Sequence, residues 1–138
     1  MMQISFSKEQ GSIPVTVMQL MGDIDSSTYT DVIDKAQEAY DEGARNLLID
    51  LSRVPYVSSA GLMSLHAVVK IFSGLSVQSK DGGRPSFKAI NREEDDAARA
   101  RVKLLNPQPP VEQVLEMVGL KLFFEIHTDQ DTALKSFT

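Results

Sequence analysis

The chain has 138 residues, 42% hydrophobic and 24% charged, which is the profile of one ordinary globular domain with a single core. It has no cysteine, which excludes disulfides, thiolate chemistry and cysteine-based zinc sites, and a net charge of −5 without a basic stripe argues against direct nucleic-acid binding. No apolar run approaches the roughly 20 residues that a bilayer span needs, and "MMQISFSKEQ" lacks the basic region and apolar stretch of a signal peptide, so the expected setting is the cytoplasm, without membrane insertion.

"MQISFSK" alternates apolar and polar residues and predicts a short strand at a sheet edge. Gly11 and Ser12 predict a turn. "IPVTVMQLMG" predicts a largely buried strand, with Val15 and Val17 on one side and Thr16, Met18 and Leu20 on the other. Pro14 must then sit at its start or at an unpaired edge position. Asp25, Ser26 and Ser27 are cap-type residues ahead of a helix. From Tyr29 the apolar positions Val32, Ile33, Ala36, Ala39 and Tyr40 follow a helical period, and Gly43 is its expected stop.

"NLLIDL", residues 46–51, is a near-continuous apolar run, as expected of a strand covered on both faces. "SSAGLMSLHAVVKIF" predicts a second helix with a stripe of Leu62, Leu65, Val69 and Phe72, widened by Val68 and Ile71. Residues 74–101 shift to glycine, proline and mixed charge. They cannot bury a core of their own and are expected to be an insertion within one domain, 1–138. "VKLLN" predicts a strand, "PPVEQVLEMV" a helix stopped by Gly119, "LFFEIH" a last strand, and "TDQDTALKSF" a final helix capped by Thr128. Helices alternating with short buried strands predict an α/β fold: a mixed sheet, antiparallel at its N-terminal pair, packed with about four helices.

Enzyme chemistry needs a constellation. His66 follows Ser59 by seven residues, about two turns or roughly 10 Å along a helix, too far for a direct hydrogen bond. It is expected on the helix surface or partly packed. The nucleophile elbow G-x-S-x-G is absent, since Val57 stands at its first glycine position. Asp23 and Asp25 could do acid–base work or hold a metal, but turn formation and capping are the commoner uses of aspartate before a helix. No phosphate-binding glycine loop occurs, and the acidic run at 93–96 reads as a solvated face. A small enzyme using Asp23, Asp25 and Ser59 is therefore a minor alternative.

The serines of "PYVSSAGLMSL" remain. One suffices to cap the helix, accepting a backbone N–H. The second, with the small Ala60–Gly61 pair behind it, suggests a helix start left open to another molecule.

These segments together resemble the STAS domain, the family of bacterial anti-sigma factor antagonists and their relatives in sulfate transporters. The resemblance rests on "LLIDLSRVPYV" leading into "SSAGL", on "LMGDIDSSTY" upstream, and on the strand–helix–strand–helix order from "VKLLNP" onward. It implies a non-enzymatic protein without cofactor, bound by an anti-sigma factor that is also a serine protein kinase. It implies Ser59 as phosphoacceptor, with Ser58 second, and a partner face of Asp25, Ser58, Gly61, Leu62 and Met63. Ser58 stands where the family pattern Asp-Ser-(Ser/Ala)-Gly-Leu has its aspartate. The resemblance also admits a STAS module that binds a nucleotide, a lipid or another regulatory protein, or scaffolds a larger signalling complex, without phosphorylation.

Overall fold

A computed structural model describes residues 2–72, 100–120 and 124–137. Two strands come first, β1 (Gln3–Gln10) and β2 (Pro14–Met21), joined by a hairpin loop of Gly11, Ser12 and Ile13. Then follow α1 (Tyr29–Asp41), β3 (Leu47–Arg53), α2 (Ser59–Phe72), β4 (Val102–Leu105), α3 (Pro109–Met117), β5 (Ile126–His127) and α4 (Gln130–Ser136). The strands lie in sequence order, β1-β2-β3-β4-β5; β1 runs antiparallel to β2, and β2 through β5 are parallel. This is the expected α/β architecture with a mixed sheet. β1 is an edge strand, and Pro14 opens β2, where its missing N–H is tolerated.

Strand alternation sorts the core into two layers. Met18, Leu20, Leu47, Ile49, Leu51, Val102 and Leu104 pack under α1, α2 and α3. Val15, Val17, Leu48 and Leu105 point to the opposite face, where α4 covers them with Ala133, Leu134 and Phe137. Each fully buried aliphatic or aromatic side chain contributes roughly 1.5–3 kcal/mol. β3 is therefore apolar on both faces, as its sequence run predicts.

α2 lies against α1, where Tyr40 meets Phe72 edge to face at 5.3 Å and the Arg45 guanidinium stacks 3.9 Å over the Tyr40 ring. The whole predicted stripe of α2 is buried. So is His66, at 2% exposure; of its two expected placements, helix surface or partly packed, the surface one is corrected, because α2 is buried at nearly every position and not only along its apolar stripe.

Several boundaries differ from expectation. β3 runs two residues further, to Arg53. Asn106 lies outside β4, with a left-handed φ of 50°. Asp129, not Thr128, caps α4: its carboxylate accepts the Thr132 N–H at 2.9 Å, which places the cap one residue later. Gly43 and Gly119 end α1 and α3 with φ of 113° and 82°, the backbone that favours glycine. The expected insertion at 74–101 lies outside the described residues except for Ala100 and Arg101, as does the start of "LFFEIH" at 122–123.

Candidate functional site

The carboxyl ends of β2 and β3 open into two connections that meet. After β2, Gly22 turns the chain at φ 116°, and the buried Ile24 forms a single parallel bridge to Val57 of the second connection. Its N–H donates to the Tyr56 carbonyl at 3.0 Å, and its carbonyl accepts the Ser58 N–H at 2.9 Å. The start of α2 is thereby fastened to the segment between β2 and α1. Ligands of open α/β sheets bind at this edge, outside the carboxyl ends of the strands.

The two serines have different jobs. Ser58 is the cap: its hydroxyl accepts the Gly61 N–H at 3.2 Å, and its carbonyl takes the first helical bond, from Leu62 N–H at 2.9 Å. Ser59 is the first helical residue. It is exposed, and its hydroxyl has no hydrogen-bond partner among the described residues.

Gly61 has an internal role. A Cβ there would run into the Ile24 carbonyl oxygen and lie 2.8 Å from Val57 Cγ1, so the helix can approach the neighbouring loop only without a side chain. The Ala60–Gly61 pair is expected to leave room for another molecule; at Gly61 this is corrected, because the protein's own Ile24 backbone and Val57 side chain take that space. Leu62 is 5% exposed and belongs to the core. Ser58 and Met63 are half-buried, as is Asp25 on the adjoining loop.

Asp25, Ser26 and Ser27 form a turn ahead of α1 and do not cap it. Asp25 Oδ1 accepts the Ser27 hydroxyl at 2.6 Å and the Ser27 N–H at 2.9 Å. These bonds, the hydroxyl first, hold its carboxyl below the usual aspartate value, with Thr28 adding to them and desolvation opposing. Asp25 is therefore an anion at neutral pH beside the serine-bearing helix start. Asp23 is exposed on the same loop. His66 sits two turns along α2; burial first, and then the Lys70 charge, push its pKa down to about 4, so it is neutral at pH 7. Among the described residues, no group of three His, Asp or Glu side chains is arranged to hold a metal ion.

Three residues here were not singled out from the sequence. Ile24 carries the link between the two connections; its signal was an apolar residue between two aspartates. Thr28 is 8% exposed and bonds back into the loop. Tyr56 is a half-exposed aromatic two residues before Ser58.

A family profile described as the Mlab STAS domain matches residues 9–77, half of the chain. No curated protein matches. Among solved structures, the chain is similar to an anti-sigma factor antagonist from Mycobacterium paratuberculosis at TM-score 0.68 and 19% identity, over 99% of this chain and 94% of that one. It is also similar to the anti-sigma factor antagonist SpoIIAA in its unphosphorylated form, at TM-score 0.59 and 17% identity, over 94% of this chain and 93% of that one. The phosphorylated form of the Bacillus cell fate determinant SpoIIAA aligns at TM-score 0.54 and 17% identity, over 94% of this chain and 96% of that one. At these identities the structural likeness establishes the fold.

Proposed function

The chain belongs to the STAS domain family, and from that premise we propose that it is an anti-sigma factor antagonist whose partner binding is switched by phosphorylation of Ser59. The partner is an anti-sigma factor with serine kinase activity. The antagonist itself is a cytoplasmic binding protein without catalysis or cofactor. Among the described residues, no helix is long and apolar enough to cross a membrane.

The observation that carries this reading is the exposed Ser59 hydroxyl, unpartnered among the described residues, beside a Ser58 hydroxyl already committed to the cap. Phosphorylation adds about −1.5 to −2 charges at neutral pH. At the first residue of a helix that charge is tolerated, because the orphan N–H groups and the helix dipole favour an anion. A partner packed on Ser59 would have to desolvate the same phosphate. The switch therefore acts on binding and spares the fold. Asp25, Ser58 and Met63 would meet the partner directly, while Gly61 and Leu62 shape that face from beneath.

The test is capture from the source organism with wild type, Ser59→Ala and Ser59→Asp as baits, together with phosphosite mapping of the chain isolated from cells. The reading expects a kinase-type anti-sigma factor on wild type and Ser59→Ala, its loss on Ser59→Asp, and phosphate on Ser59. Phosphate confined to other residues, or equal capture by both variants, counts against it.

Ser58 favours a second reading, because the family's phosphorylated pattern has aspartate in its place. On that reading the chain is a STAS module that binds another regulatory protein, a nucleotide or a lipid, or scaffolds a signalling complex, without phosphorylation. Equal partner retention by Ser59→Ala and Ser59→Asp would select it.

A further inference from the structure

Thr28 stands at the cap position of α1, yet its side chain makes no cap bond. The side chains of Ser58 and Asp129, at the corresponding positions of α2 and α4, each accept the N–H three residues on. A threonine that forgoes this bond is using its hydroxyl elsewhere. Here it points backward: it donates to the Asp23 carbonyl at 2.8 Å and accepts the Asp25 N–H at 3.0 Å, with Asp25 Oδ1 3.3 Å away. One proton and one lone pair are thereby matched, and the side chain is 8% exposed.

The two backbone groups that Thr28 holds flank Ile24. The Ile24 carbonyl accepts the Ser58 N–H, and it is also the group against which Gly61 is pressed. A contiguous chain of contacts thus runs from the Thr28 hydroxyl through Asp23 and Asp25 to Ile24, and from Ile24 to the first turn of α2. We infer that Thr28 is a positioning residue for the Ser58–Ser59 helix start, acting through the Asp23–Asp25 segment. Its functional weight rests on the partner-binding reading above.

The test is residue-resolved amide hydrogen exchange on the full chain, comparing wild type with Thr28→Val, Thr28→Ala and Thr28→Ser. Valine keeps the shape and removes the hydroxyl; serine keeps the hydroxyl. In the valine and alanine variants the Ser58 and Asp25 amides are expected to exchange at least roughly tenfold faster, while Leu48 and Ile49 in the central strand stay within about twofold of wild type. Thr28→Ser is expected to restore slow exchange at Ser58. The inference is overturned if Ser58 is unchanged, if every amide accelerates equally, or if serine behaves like valine. This readout needs no partner. A chain that captures no anti-sigma factor yet shows this pattern loses the functional reading and keeps the positioning role, and the opposite result reverses the two.

Discussion

The Ser58 N–H donates to the Ile24 carbonyl at 2.9 Å, and the same carbonyl faces the bare Cα of Gly61. One oxygen thus sets both where α2 begins and how closely its first turn can approach. Gly61→Ala must push the helix away from Ile24 and Val57, whose side chains are fully buried and cannot yield freely. We expect a loss of about 1–3 kcal/mol in urea unfolding. A variant as stable as wild type would mean that the close approach is not a constraint.

Ser58 tests whether its hydroxyl is the cap of α2. Ser58→Ala removes the acceptor for the Gly61 N–H and is expected to cost about 1 kcal/mol. Ser58→Asp keeps an acceptor and adds a charge that the helix dipole favours, so it should stay within roughly 0.5 kcal/mol of wild type. Denaturation midpoints at constant slope decide this. Equal losses in both variants would show that the hydroxyl does not cap.

Much of this architecture was legible in the sequence because it depends on periodicity. Val15 and Val17 against Met18 and Leu20 announce two covered faces, and the stripe from Leu62 to Phe72 announces one buried side of a helix. What was not legible depends on contacts distant in sequence. Gly61 looks like open space until Ile24, 37 positions away by the numbering, is brought against it. His66 shares a helical stripe with Ser59, Met63 and Lys70, and local spacing places it outward. It is buried because α2 is enclosed at nearly every position, which the spacing within the helix does not reveal. Thr128 and Asp129 are both cap-type residues, aspartate the stronger, and the bond from the Thr132 N–H to the Asp129 carboxylate marks the one in use.

Lys103 tests what holds α4 in place. Its ammonium is 4% exposed, donates to the Ser136 carbonyl at 2.9 Å and hydroxyl at 3.0 Å, and pairs with Glu125 at 3.1 Å. It also lies 4.7 Å from the centre of the Phe137 ring. Lys103→Met retains the stem and removes every one of these bonds, and should cost about 1–3 kcal/mol. Amide exchange should rise first in α4. Glu125→Gln should matter less, at most about 1 kcal/mol, because that carboxylate is 46% exposed. If exchange in α4 is the same in Lys103→Met as in wild type, the lysine is not its latch.

His66 predicts a pH dependence with a definite sign. Burial, and then the Lys70 charge, lower its folded pKa from 6.5 to about 4, so between those values the unfolded chain takes a proton that the folded chain refuses. Stability from this group is complete above about pH 6.5 and is lost as pH falls toward 4. The depressed carboxylates do not confuse the window. Asp25 and Asp129 have ordinary values of 3.8 and Glu125 of 4.5, and their contributions, present above those values, fade only below them. Unfolding free energy should therefore drop by about 2 kcal/mol from pH 7 to pH 5. In His66→Leu that drop should largely vanish, whatever the variant's absolute stability. Parallel pH profiles for the two proteins would show that His66 already accepts its proton in the folded state.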